Sequence, residues 1–128
     1  MKIAIFENEY DTLEMAFNYA NKKYYSNRLI YEVFPRSQDF TDLTKITEYG
    51  LTIVDIDLSS MSILDGFGLI KKIEETIQVI PKILIMTGQA LGDNYHNENG
   101  LKYKYPVLVK SVNYNKIKKE FDKLNIEQ

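Results

Sequence analysis

Four apolar runs in this chain each stop on polar residues able to do chemistry. Ile3-Ala4-Ile5-Phe6 runs into Glu7-Asn8-Glu9, and Leu51-Thr52-Ile53-Val54 runs into Asp55-Ile56-Asp57. Ile83-Leu84-Ile85-Met86 stops at Thr87, and Val107-Leu108-Val109 stops at Lys110. In an open parallel sheet the carboxyl ends of the strands line the ligand crevice. Placed as strands of one such sheet, these runs bring carboxylates, a hydroxyl and an ammonium to one edge. That set suits a phosphoryl group carried on an aspartate, with a divalent cation beside it.

The elements between the runs have the spacing that such a sheet needs. A helical pattern with Leu13, Ala16, Phe17 and Ala20 on one face follows the first strand, with Asp11 or Thr12 as its cap. Residues 29–33 read as a more exposed second strand. Ser37 or Asp39 is expected to cap a short helix carrying Phe40, Leu43 and Ile46, which Gly50 stops. Asp65-Gly66 opens a helix with Leu69, Ile70, Ile73 and Ile77 facing inward. The last helix carries Tyr114, Ile117, Phe121 and Leu124 as its apolar stripe and leaves Lys116, Lys118 and Lys119 in solvent. Between Gly88 and Gly100, glycines and asparagines with few apolar anchors predict a short helix or an ordered loop. Alternating strands and helices imply an α/β fold with a parallel sheet, helices on both faces and right-handed crossovers. Five strands in this length fit a flavodoxin-like doubly wound sheet of order 2-1-3-4-5.

Composition narrows the function classes. The chain has 128 residues, 45% of them apolar, and a net charge of −2. One domain spanning 1–128, with no output domain attached, is expected. The charge gives no field for nucleic acid or an anionic membrane. No apolar run nears the roughly 20 residues of a membrane span, and the N-terminus reads as a strand rather than a signal peptide. The absence of cysteine excludes disulfides, zinc thiolates and cysteine nucleophiles. A cytoplasmic protein is expected. His96, the single histidine, lies in a polar stretch and reads as a surface loop residue.

The order of these strand ends resembles the receiver domain of two-component response regulators, over essentially the whole chain. In that family an acidic pair follows strand 1, a phosphoacceptor Asp ends strand 3, Thr or Ser ends strand 4 and Lys ends strand 5. Glu7-Asn8 stands at the acidic pair, Ile53-Val54-Asp55-Ile56-Asp57-Leu58 resembles the acceptor motif, and Met86-Thr87-Gly88 and Val109-Lys110 match the other two. Asp65-Gly66 matches the acidic-Gly start of the third helix. The resemblance implies phosphorelay signalling: Asp55 accepts a phosphoryl group from a histidine kinase or phosphotransfer protein, with Thr87 and Lys110 assisting. Output is then contact with a downstream protein partner, without nucleic acid or membrane. Mg²⁺ is the implied cofactor, since it takes one or two carboxylates with water. Glu7, Asn8, Asp55 and Asp57 are its candidate ligands. The protein would not be an enzyme beyond self-phosphorylation and autodephosphorylation at Asp55.

The chain also departs from the family pattern. Asn8 replaces one acid of the pair, which weakens the cation site; Asp57 restores charge if it turns inward. The Leu58–Leu64 loop is longer than usual and lacks the common Pro. Asp55 is preferred to Asp57 as acceptor because it directly follows the strand, and the other register buries Asp55 inside it. Ser111 stands where a Pro, usually cis, follows the Lys, so a trans bond is expected. Val107 holds the position of the aromatic switch residue, with Tyr103 and Tyr105 out of register. Two other readings stay open. One is a pseudo-receiver, an interaction module independent of phosphorylation. The other is a small haloacid-dehalogenase-like phosphatase using Asp55-Ile56-Asp57, although the acidic pair that family places after its fourth strand is absent.

Overall fold

The computed structural model describes residues 1–127. Five strands, β1 (Lys2–Phe6), β2 (Ile30–Phe34), β3 (Leu51–Asp55), β4 (Ile83–Thr87) and β5 (Val107–Val109), form one sheet in the order β2-β1-β3-β4-β5. Every pairing is parallel. The helices are α1 (Glu14–Tyr25), α2 (Gly66–Thr76), α3 (Tyr95–Glu98) and α4 (Tyr114–Lys123). This is the doubly wound flavodoxin-like arrangement expected from the alternation of elements.

Period-two alternation along the central strands divides the core in two. Ile3, Ile5, Leu51, Ile53, Leu84 and Met86 meet Phe17, Ala20, Ile117 and Phe121 from α1 and α4 on one face. Ala4, Phe6, Val54, Ile83 and Ile85 meet Leu69, Ile70 and Ile73 from α2, with Tyr95 and Leu101, on the other. Strands buried on both faces read as continuous apolar runs, and these three do. β2 is the exposed edge, as its charged residues predict, but it runs one residue later than the sequence suggests.

Three local expectations are corrected. Neither Asp11 nor Thr12 caps α1. Tyr10–Thr12 is a 3-10 turn, the Thr12 hydroxyl donates to the Glu9 carbonyl, and Leu13 occupies the N-cap without a side-chain bond. The short helix expected around Phe40 is two 3-10 segments, Ser37–Asp39 and Leu43–Glu48, the second capped by Asp42 through the Thr44 amide. Ser37 is instead occupied by partners about 25 residues away in sequence. The Lys110–Ser111 peptide bond is cis rather than trans. The Lys110 amide there donates to the Thr87 carbonyl, and the Ser111 carbonyl accepts from Lys116 Nζ.

The Asp65-Gly66 start of α2 is as expected, with the Asp65 carboxylate accepting from the Gly68 amide. α3 is a single short helix, one of the two outcomes expected for that segment.

Candidate functional site

Strand register sets the site. Backbone pairing continues beyond the strands: the Glu7 amide donates to the Phe34 carbonyl, the Ile56 amide to Met86 and the Lys110 amide to Thr87. These bonds extend the pairing of β1 with β2 and of β3 and β5 with β4, so the ends of β1, β3 and β5 reach the same carboxyl edge of the sheet. Three of the expected residues meet there. Lys110 Nζ lies 2.8 Å from Asp55 Oδ2 and 3.0 Å from Glu7 Oε1. The second Asp55 oxygen, Oδ1, accepts from the Asp57 backbone amide at 2.8 Å. Glu7 and Asp55 are 1% and 2% exposed, while Lys110 reaches solvent.

The two carboxyls respond differently to burial. Burial is the largest influence on Glu7, and Asp55 close by adds to it. Together they outweigh Lys110 and push Glu7 up to about 8. Burial also opposes ionisation of Asp55. Hydrogen bonding from Glu7, then from Lys110 and the Asp57 amide, overcomes it and holds Asp55 below the usual carboxylate range. Desolvation acts against the charge of Lys110, but Asp55 and Glu7 more than compensate and raise it. A lysine 3.0 Å from Glu7 would by itself suggest two anions. The buried setting instead favours one: at neutral pH Asp55 carries the charge that pairs with Lys110, and Glu7 keeps its proton. Glu7 Oε2 is buried and finds no hydrogen-bond partner.

The remaining candidates stand apart. Thr87 ends β4 and is buried, but its hydroxyl donates to the Gln89 carbonyl at 3.0 Å and accepts from the Gln89 amide at 3.1 Å. It closes its own loop instead of meeting Asp55. Asn8 is exposed, and its amide makes no hydrogen bond among the described residues. Asp57 contributes its backbone to Asp55 while its carboxylate faces solvent. Among the described residues no three acidic, His or Cys side chains gather into a cation site. The third carboxylate expected from Asp57 therefore does not join Glu7 and Asp55, because the turn that brings its amide to Oδ1 leaves its side chain outside.

Two features at the site edge had weak sequence signals. A Cβ on Gly66 would lie 2.3 Å from Ile56 Cα and 2.4 Å from the Asp55 carbonyl oxygen. Only glycine lets α2 start this close to the end of β3; the Asp65-Gly66 pair marks the helix start but not that approach. Buried Glu74 on α2 accepts from the Lys102 and Tyr103 amides and from the Tyr105 hydroxyl at 2.6 Å. Tyr105 in turn exchanges backbone bonds with the Tyr95 hydroxyl. This network pins the segment leading into β5. Nothing in the sequence singles out Glu74 among the charged residues of its helix.

No family model matches the sequence, and no curated protein matches it. Solved structures do. The signal receiver domain of a DNA-binding response regulator from Colwellia psychrerythraea 34H aligns over 100% of this chain and 99% of its own, with 20% identity and a TM-score of 0.71. A two-component response regulator from Clostridium difficile aligns over 98% and 95%, with 19% identity and a TM-score of 0.71. A CheY-like receiver domain from Methanospirillum hungatei JF-1 aligns over 99% and 98%, with 21% identity and a TM-score of 0.62. With its strand order and the full-length alignments together, this chain has the fold of a response-regulator receiver domain.

Proposed function

We propose that the chain is a receiver that accepts a phosphoryl group on Asp55 and signals through protein contacts. The observation that supports it most is the Asp55 carboxylate: buried at the end of β3, held below its ordinary pKa, and paired with Lys110 at 2.8 Å. An ionised carboxylate is the nucleophile such transfer needs. One Asp55 oxygen forms the new bond to phosphorus as the donor's bond to its leaving atom breaks. Lys110 is placed to pair with an oxygen of the incoming group as a point charge. Thr87 would leave Gln89 to donate to the phosphoryl group, turning added charge into a change in the 88–94 loop. The donor is a histidine kinase or phosphotransfer protein, and turnover is limited to loss of the group from Asp55.

A divalent cation fits the donor set. Mg²⁺ takes hard oxygen ligands, typically one or two carboxylates with water, and the unpartnered Glu7 Oε2 belongs to a carboxyl that shares the Lys110 ammonium with Asp55. Asp55, and Glu7 once it gives up the proton it keeps in the free site, would hold it, and it would supply neutralisation of phosphate charge. Asn8 and Asp57 leave this site with two carboxylates, so weak binding is expected.

The test is intact mass after incubation with Mg²⁺ and a small acyl phosphate, with Asp55→Asn as control. A single phosphoryl adduct absent from the mutant is expected. An adduct that survives in the mutant assigns Asp57, and no adduct in folded wild-type protein favours the pseudo-receiver. That second reading draws on Lys110 bridging both carboxyls and on Val107 at the switch position. Turnover of a phosphate monoester would revive the phosphatase.

A further inference from the structure

The loop after Asp55 is held by side chains from a different connection. Ser37 and Gln38, in the turn after β2, make four hydrogen bonds to residues 61–64. The Ser37 amide donates to Ser62 Oγ at 2.8 Å, and Ser37 Oγ accepts from the Leu64 amide at 3.0 Å. The Gln38 side chain donates to the Met61 carbonyl at 2.9 Å and accepts from the Ile63 amide at 2.9 Å. Ser62 Oγ in turn donates a hydrogen bond to the Leu64 carbonyl at 2.6 Å. Gln38 thus meets one backbone donor and one backbone acceptor, as the next strand of a sheet would.

The clasped segment lies between two anchors at the acceptor. At one end the Asp57 amide donates to Asp55 Oδ1; at the other the Gly66 amide donates to the Ile56 carbonyl. In between, Leu58 is buried, but Met61 and Ile63 are 70% and 77% exposed. Apolar packing therefore does not hold the middle of the loop. Polar bonds do, and those that leave the loop end on Ser37 and Gln38.

We propose that Ser37 and Gln38 are positioning residues for Asp55: by fixing the 61–64 segment they keep the Asp57 amide on Asp55 Oδ1 and so fix the orientation of the nucleophile. The effect on transfer rests on the phosphoacceptor reading above; the effect on the Asp57 amide does not. Orientation errors of an ångström far from the chemistry carry large rate costs.

The experiment uses the whole chain and two readouts. Residue-resolved hydrogen exchange by NMR follows the Asp57, Ile63 and Leu64 amides. Intact mass follows adduct formation with acetyl phosphate and Mg²⁺. Gln38→Ala is expected to speed exchange at Asp57 by about tenfold and to slow adduct formation at saturating donor by about tenfold. The half-saturating donor concentration should stay unchanged. Gln38→Glu, which keeps the acceptor for Ile63 but loses the donor to Met61, should fall between. Ser37→Ala provides the same test from the other side if Gln38→Ala does not fold. Unchanged exchange at the Asp57 amide overturns the proposal, as does an unchanged rate when wild-type protein is phosphorylated. If wild-type protein forms no adduct, the phosphoacceptor reading fails, and exchange at Asp57 still decides whether the clasp orients Asp55.

Discussion

Glu7 and Asp55 flank one ammonium, and their different acidities give the site a stability profile that can be measured. Glu7 keeps its proton in the fold up to about 8, against about 4.5 in the unfolded chain. Between those values the folded state binds the extra proton, so stability falls as pH rises. The contribution is fully present below 4.5 and lost by about 8. Asp55 works the other way: its lowered pKa adds stability above its ordinary value and loses it in acid. Urea midpoints should therefore decline from pH 5 to pH 8 in wild type, and Glu7→Gln should flatten that decline. A midpoint that rises over this range contradicts the assignment of the proton to Glu7. Lys110→Met should cost about 2–3 kcal/mol at pH 7, read from the same curves. That is less than for a fully dry pair, because 25% of the Lys110 side chain stays in water.

Elements meet the site through two close fits, and each gives a prediction. Gly66→Ala adds helix propensity but puts a methyl against Asp55 and Ile56 backbone. We expect a net loss of about 2 kcal/mol, measured by urea unfolding, since overpacking outweighs propensity here. Glu74→Ala removes the acceptor of two amides and one hydroxyl. It should cost about 3 kcal/mol and raise amide exchange at Lys102 and Tyr103. What could be read beforehand follows from how local each signal is. The central strands, the Asp65 cap and the stripe of α4 depend on neighbours in sequence, and their residues carry the pattern. Glu7, Asp55 and Lys110 were legible because each follows an apolar run, and parallel register does the rest. Ser37, Gln38 and Glu74 were not, because their partners lie 23 to 31 residues away. Asp57 misled for a related reason: the motif gives its distance from Asp55 along the chain but not which of its atoms turns inward.

At the scale of the molecule, one sheet serves two cores. α1 and α4 pack on one face, α2 and the segment around Tyr95 on the other, and the same three central strands supply side chains to both. Neither core exists without the sheet, so the chain should unfold in a single transition. Phe121→Ala, on the α4 face, should cost about 4 kcal/mol. It should lower the midpoint equally whether unfolding is followed by far-ultraviolet circular dichroism or by exchange at α2 amides. Two separate midpoints would show that the faces are independent. The carboxyl edge of this shared sheet is where β1, β3 and β5 place their terminal side chains, so damage to either core reaches the site through strand position.

The pinned segment before β5 also makes the chain its own optical probe. There are ten tyrosines and no tryptophan, so near-ultraviolet absorption and intrinsic emission are dominated by phenol rings. Tyr105 donates its hydroxyl proton to a buried carboxylate, and Tyr95 is bound to backbone on both sides of its oxygen. A phenol sharing its proton with a carboxylate emits weakly and absorbs to the red of one in water. Any rearrangement that releases Tyr105 from Glu74 should then brighten the emission and shift the absorption edge to the blue, without an added dye.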